Sequence, residues 1–124
     1  MVAPVAAADV ARLGQSEMGT LVAEARDGDR GAFDALVRRT WADTYSLAFR
    51  LTGNAEDARD VCQEAYLRAY RGLRRFRGDA RFTTWLYRIT ANCASTQLGR
   101  RRRHRHEELD DDLELSDLSP SIDP

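Results

Sequence analysis

The stretch FRGDARFTTWLYRITANCASTQLGRRRRHR, residues 76–105, decides the fold and carries the strongest functional signal of the chain. A glycine-containing loop leads into a helical pattern, which runs from about Ala80 to about Arg103 with Asp79 as its predicted N-cap. Arginines and an amide occupy a different face from the apolar residues, and the stretch ends in a cluster of five arginines and one histidine. The predicted core face consists of Phe82, Trp85, Leu86, Ile89 and Cys93.

Three helical patterns precede this stretch. The first is short and starts at Gly19, and the second runs from about Asp29 to about Thr52, where Gly53 is the predicted C-cap. Asn54 is the predicted N-cap of the third. Strand-like alternation and internal repeats are absent, so the predicted class is all-α, a small bundle of about four helices. The predicted core positions are Phe33, Leu36, Val37, Trp41, Tyr45, Ala48, Phe49 and Leu51 in the second pattern, and Ala58, Val61, Cys62, Ala65, Ala69 and Leu73 in the third.

Charge is strongly segregated along the chain, although the net charge is only −1. Residues 66–106 carry twelve arginines against one acid, whereas residues 107–124 carry eight acids and no arginine or lysine. Like charges repel, so a cluster such as RRRRHR is rarely retained without an anionic partner, although a flexible basic end would have the same composition. The segregation therefore predicts a basic surface that contacts phosphates.

Composition sets the limits of the fold and argues against several functional classes. The 124 residues, 43% of them hydrophobic, suffice for one small core. No apolar run approaches the length of about 20 residues that a membrane span needs, and the N-terminus lacks the basic start of a secretory signal, so we expect a cytoplasmic protein. We expect a mobile leader over residues 1–17, with or without a weak helix, a helical domain over 18–106 and a disordered acidic linker over 107–124.

The thiols and imidazoles do not form the pattern of a metal or catalytic site. Cys62 and Cys93 lie 31 positions apart within helical patterns, which indicates reduced, buried thiols. Together with His104 and His106 they could supply four zinc ligands, but the chain has no CxxC pair. No nucleophile lies near the histidines in sequence, so we predict neither a cofactor nor an enzyme.

Two features of the sequence each allow two interpretations. The outer side of the third helix carries Asp60, Gln63, Glu64 and Leu67 at helical spacing, which describes either an ordinary solvated face or a surface that docks a partner. Phe76 lies within the basic loop, where its ring could either turn inward as an anchor or stack on an unpaired base.

The segment DARDVCQEAYLRAYRGLRRFRGDARFTTWLYRITANCA, residues 57–94, resembles region 2 of bacterial sigma factors of the extracytoplasmic-function group. The resemblance covers about residues 18–105 and rests on QEAYLRAY, FRGDARFTTWLYRI and AN occurring in this order. It implies a small helical bundle that docks on the clamp helices of the RNA polymerase β′ subunit. The residues that match the docking segment are Asp60, Gln63, Glu64 and Leu67.

The same resemblance implies recognition of the promoter minus-ten element on the non-template strand, with an extruded base held by the loop before the last helix. Arg74 to Phe82 match this loop, and the resemblance makes Phe76 the expected wall of the base pocket. Reading a base edge in full requires the base to leave the stack, at a cost of a few kcal/mol that pocket contacts can offset. Arg68 and Asn92 match positions at the upstream edge of the element. With the arginines of the loop, outer face and terminal cluster, the predicted DNA-binding residues are Arg68, Arg74, Arg75, Phe76, Arg77, Arg81, Arg88, Asn92, Arg100 and Arg103.

The chain also departs from the family pattern. Thr96 and Gly99 stand where the family often has an acid followed by a basic pair. We expect the second domain of a complete member, which reads the minus-thirty-five element, to be absent. The competing hypotheses are a stand-alone helical nucleic-acid-binding module and a helical protein whose basic face meets an acidic protein, such as an inhibitor. A basic face that meets an inhibitor is compatible with the sigma-factor interpretation, because members of the group are usually held by anti-sigma factors.

Overall fold

Four helices make up the computed structural model, which describes the backbone of residues 7–78 and 81–115 and the side chains of residues 17–78 and 81–110. Helix α3 packs against both α2 and α4, while α1 packs mainly against α2. The described residues contain no strand, so the predicted all-α bundle is confirmed, and none of their helices is long and apolar enough to cross a membrane. The elements are α1 (Ala7–Arg26), α2 (Arg30–Thr52), α3 (Ala55–Gly72), a 3₁₀ helix (Leu73–Arg75) and α4 (Phe82–Leu115).

The ends of α2 and α3 follow the capping residues that the sequence predicts. Asp29 precedes α2, and its side chain accepts a hydrogen bond from the first turn. Gly53 ends α2 in the left-handed conformation, with φ of 81°, and donates its N–H to the Phe49 carbonyl at 2.8 Å. Asn54 begins α3 and accepts the backbone N–H of Asp57 at 2.8 Å. One left-handed glycine followed at once by an N-cap thus turns the chain from α2 into α3.

Small side chains on one face of α3 form the centre of the core. Ala58, Ala65 and Ala69 are completely buried, and their size lets α2 and α4 approach the α3 backbone closely. Leu36 of α2 and Leu86 of α4, both fully buried, supply larger apolar side chains to the same core. The α3 core positions predicted from sequence are all buried, namely Ala58, Val61, Cys62, Ala65, Ala69 and Leu73.

The predicted core face of α2 is partly wrong. Trp41, Phe49 and Leu51 are exposed, at 38%, 43% and 41% of their surface, whereas Thr40 and Thr44 are buried. At 100° per residue the two threonines lie in the middle of the buried face, whereas Trp41 lies at its edge and Phe49 beyond it. Leu51 has the angle of the buried face but lies in the last turn of the helix, which ends at Thr52. Periodicity of apolar residues alone could not show this, because threonine counts as polar in such a pattern.

Hydroxyl groups explain how the threonines can be buried. Each threonine donates its hydroxyl to the carbonyl four residues earlier, Thr40 to Leu36 at 2.7 Å and Thr44 to Thr40 at 2.8 Å. The Tyr66 hydroxyl of α3 lies 2.7 Å from the Thr40 hydroxyl oxygen and 3.0 Å from that of Thr44. Every polar atom in this cluster therefore has a partner, which removes the penalty of burying it. Burial also raises the pKa of the Tyr66 phenol.

Two helices extend further than the sequence predicts. Helix α1 begins at Ala7, within the predicted mobile leader, and α4 continues to Leu115, within the predicted disordered tail. Adding a residue to an existing helix costs far less than nucleating one, and His104 pairs with Glu108 four residues on. Residues 1–6 and 116–124 lie outside the described chain, as does the predicted N-cap Asp79. Helix α4 begins at Phe82, and the Arg81 carbonyl accepts its first hydrogen bond in the described residues, from Trp85 N–H at 3.1 Å.

The two cysteines are reduced and buried, as the sequence predicts. Burial raises the pKa of the Cys62 thiol to about 11, and burial also raises the pKa of the Cys93 thiol. Both thiols are therefore protonated at neutral pH and behave as small apolar side chains.

Replacing Tyr66 with Phe tests how much the buried hydroxyl cluster contributes to stability. We expect Tyr66→Phe to lower the free energy of unfolding by about 1–2 kcal/mol, because two buried threonine hydroxyls lose a partner. The control is Tyr70→Phe, on the same helix with a side chain 49% exposed, which should change stability by less than about 0.5 kcal/mol. Urea unfolding followed by circular dichroism measures both, and equal effects of the two changes would contradict the expectation.

Candidate nucleic-acid interface

The outer side of α3 presents the ridge that the sequence singled out as a solvated face or a docking surface. Asp60, Gln63 and Leu67 are exposed, with 43% of the Leu67 surface accessible, and Glu64 is half-buried. The alanines of the same helix point the opposite way, into the core. No described part of the chain covers this docking ridge, defined here as Asp60, Gln63, Glu64 and Leu67.

The loop between α3 and α4 is basic on its outer side. Arg74 and Arg75 are exposed on the short 3₁₀ helix, and Arg77 is exposed just after it. Gly78 has φ of 81°, a backbone conformation that strains any residue with a Cβ atom. Position 78 therefore favours glycine, and the three arginines that precede it are accessible.

Phe76 resolves one of the alternatives that the sequence left open. Its ring is only 7% exposed and lies 5.0 Å from the Trp85 ring and 6.2 Å from the Phe82 ring, centroid to centroid. Rings at these separations stabilise each other in the tilted and edge-to-face arrangements that are seen here. Phe76 thus anchors the loop from inside. The inward alternative is therefore the one that the structure shows, while a part for Phe76 in the wall of a base pocket stays a prediction.

Helix α4 carries the predicted contacts on its solvent side. Arg88 and Asn92 are exposed and lie one turn apart, and Arg81 is exposed just before the helix begins. Arg100 and Arg103 are exposed near the end of the packed part of the helix. The arrangement supplies guanidinium groups suited to phosphate oxygens and one amide suited to a base edge.

A groove of about 250 Å³ lies between α3 and α4. Arg68 of α3 and Arg100 of α4 line it together with Thr96, and Cys93 also lines it. Burial raises the Cys93 pKa; the negative charge of Glu64 adds to that rise, and the positive charges of Arg68 and Arg100 oppose it. The groove therefore joins two of the predicted DNA-binding residues from different helices.

An ion pair connects the groove to the docking ridge. The Arg68 Nε atom donates to Glu64 Oε1 at 3.0 Å, one turn earlier on α3. Both side chains are exposed by more than two fifths of their surface, so the pair contributes at most about 0.5 kcal/mol to stability. Its consequence is positional, because it holds the Arg68 head group beside the groove.

A buried carboxylate was missed as part of the site. The sequence indicates Asp57 only as an N3 residue of α3, yet its side chain is 4% exposed and contacts Gln97 and Arg101 of α4. No local pattern links residues 40 or more positions apart, so sequence reasoning had no signal for this contact. Among the described residues, no group of three or more histidine, cysteine, aspartate or glutamate side chains is placed to hold a metal ion.

Comparisons with known proteins agree on one family. The family model described as Sigma-70 region 2 matches residues 36–104. RNA polymerase sigma-H factor of Pseudomonas aeruginosa is 44% identical over 91 residues, which cover 73% of this chain and 47% of that protein. The ECF RNA polymerase sigma-E factor of Escherichia coli is 46% identical over 78 residues, which cover 63% of this chain and 40% of that protein. The chain thus spans about half the length, or less, of these relatives.

A solved structure has a similar fold. It is an NMR structure of the complex formed by an engineered region 2 of sigmaE with GTAAAA, and it is 39% identical to this chain with a TM-score of 0.67. The likeness covers 70% of this chain and 90% of that one. Over the matched part, the two chains therefore share a similar fold.

Replacing Phe76 tests whether its ring anchors the loop. We expect Phe76→Ala to lower the free energy of unfolding by about 3–4 kcal/mol, because it leaves a cavity beside Phe82 and Trp85. The control Arg75→Ala removes an exposed neighbour and should cost less than about 0.5 kcal/mol. A loss below about 1 kcal/mol for Phe76→Ala in chemical denaturation would show that the ring is not an anchor.

Proposed function

The chain belongs to the Sigma-70 region 2 family, and we propose that it acts within an RNA polymerase sigma factor of the extracytoplasmic-function group. In this proposal the docking ridge binds the β′ clamp helices of core polymerase. The loop and the outer face of α4 recognise the minus-ten element on the non-template strand and help to melt it. In this proposal the chain binds the polymerase and the promoter strand in the cytoplasm, where the polymerase works, and catalyses no reaction.

The observation that carries the proposal is the presence of two different exposed surfaces on one packed bundle. One is the docking ridge, which combines acids, an amide and an accessible leucine. The other is cationic and comprises the loop arginines with Arg88, Asn92 and Arg100. The two surfaces meet on α3, because Asp60 and Glu64 of the docking ridge also line the groove that holds Arg68.

The chemistry of the cationic surface suits an opened strand. Guanidinium groups on the loop and on α4 can neutralise successive phosphates, and each contact releases counterions. The exposed Asn92 amide can donate to and accept from one base edge. The loop is held from inside by Phe76, so a base that enters beside it meets a preformed surface. Less ordering on binding means a smaller entropic cost, which supports capture of an extruded base.

An inhibitor is part of the same proposal. The docking ridge combines acids with the exposed Leu67. The basic loop is positively charged and would attract an acidic segment. An anti-sigma factor that covered both surfaces would block the polymerase and the promoter at once. Both surfaces are accessible among the residues that the structure describes.

Binding to the clamp helices tests the docking half of the proposal. We expect Leu67→Ala to weaken binding to an immobilised β′ clamp-helix fragment by about tenfold, which is the loss typical of a central apolar contact. The matched control is Leu51→Ala, since Leu51 is 41% exposed on α2 and Leu67 is 43% exposed on α3. If the two substitutions had the same effect in a pull-down titration, the assignment of the docking ridge would be wrong.

Binding to a single-stranded hexamer tests the nucleic-acid half. We expect the chain to bind GTAAAA, and Asn92→Ala to weaken this binding by about five- to tenfold through loss of a base-edge contact. Gln63→Ala is the matched control, because it also removes an exposed amide but from the docking ridge. Asn92→Ala should weaken binding to the hexamer alone, and Gln63→Ala should weaken binding to the clamp-helix fragment alone. Tight binding to any duplex, with Asn92→Ala without effect, would instead favour a stand-alone nucleic-acid-binding module.

A further inference from the structure

The most deeply buried acid among the described side chains joins the two helices that bear the cationic surface. Asp57 lies in the first turn of α3, and only 4% of its side chain is exposed. A buried carboxylate is costly unless charge and hydrogen bonds compensate it. The hydrogen-bond and ion-pair partners of the Asp57 carboxylate therefore show which elements it connects.

Both carboxylate oxygens of Asp57 are used. Oδ2 accepts Arg101 Nε at 3.0 Å and Asn54 Nδ2 at 2.8 Å. Oδ1 accepts Gln97 Nε2 at 3.3 Å. Asn54 is the N-cap of the same helix, whereas Gln97 and Arg101 lie one turn apart on α4. One carboxylate thus fixes one turn of α4 against the beginning of α3.

The position of this contact on α4 is what gives it a functional meaning. Residues 102–110 are all exposed, so among the described side chains the Asp57 contacts lie at the end of the packed part of the helix. Arg100 lies between the two Asp57 partners in sequence, and it lines the groove with Arg68. If the turn from Gln97 to Arg101 shifted, Arg100 would shift with it.

We propose that Asp57 is a positioning residue for nucleic-acid binding, which it supports without touching the nucleic acid. By holding Gln97 and Arg101, it sets the distance between Arg100 of α4 and Arg68 of α3. This inference rests on the proposed function, because the groove matters only if the two arginines bind a strand. It adds to that function a requirement for an acid next to the basic cluster.

Removing the acid distinguishes positioning from simple electrostatics. Asp57→Asn makes the chain more positive by one unit, so charge alone predicts tighter binding to an anionic strand. Positioning predicts the opposite, because the amide nitrogen of asparagine cannot accept from Arg101 or Gln97. We expect Asp57→Asn to bind the GTAAAA hexamer about fivefold more weakly than the unaltered chain, which corresponds to about 1 kcal/mol.

A pair of neighbouring arginines provides the second variant and its matched control. Arg101→Gln and Arg102→Gln each remove one positive charge from the cluster, but only Arg101 contacts Asp57 in the described structure. Arg101→Gln should therefore weaken binding more than Arg102→Gln. Its guanidinium is half exposed, so this variant keeps the test available if Asp57→Asn does not fold.

Hydrogen exchange supplies a readout that does not depend on the nucleic acid. The amides of residues 97–105 should exchange faster in Asp57→Asn and Arg101→Gln than in Arg102→Gln, with α2 unchanged. Failure of the unaltered chain to bind the hexamer would count against the proposed function, while exchange would still test the contact. The inference is overturned if Asp57→Asn binds as tightly as the unaltered chain or more tightly, or if Arg101→Gln and Arg102→Gln behave alike in both measurements.

Discussion

The fold depends on one face of α3 whose middle carries only alanine, valine and cysteine, with Tyr66 beside them. Ala58, Ala65 and Ala69 are fully buried, and their small size lets α3 pack against α2 and α4 at the same time. A helix enclosed from two sides in this way has only its outer side left for other contacts. The docking ridge lies on that side, and Arg68 lies where the outer side meets α4. The same alanines that build the core therefore determine which residues of α3 face outward.

Buried polar groups give this small core a defined geometry. Tyr66 ties α3 to α2 through two threonine hydroxyls, and Asp57 ties α3 to α4 through an amide and a guanidinium. Apolar side chains tolerate small shifts, whereas hydrogen bonds at about 3 Å specify one arrangement. The described side chains leave no buried nitrogen or oxygen atom without a partner. We attribute the fixed relation between the two exposed surfaces to these two connections.

The sequence predicted the parts of the structure that local chemistry determines. A left-handed glycine and a capping asparagine define the turn at Gly53 and Asn54, and the small face of α3 has an unbroken helical period. The predicted core face of α2 was wrong in part, because the polar Thr40 is buried whereas the apolar Trp41 is exposed. It could not find the contact between Asp57 and Arg101, because only tertiary packing brings them together. For the site, the exposed ridge and loop arginines were predictable, but the inward turn of Phe76 was one of two equal alternatives.

Helix α4 runs unbroken from Phe82 to Leu115 and changes sign along its length. Arginines fill residues 100–103 and 105, and acids follow at 107, 108 and 110–112, so the side chains add to the dipole that the peptide groups already give a helix. Near a polyanion such a rod experiences a torque as well as an attraction, which points its acidic end away. At about 1.5 Å per residue, that end lies roughly 20 Å beyond Arg101. The acidic end of α4 would therefore be held away from the phosphates.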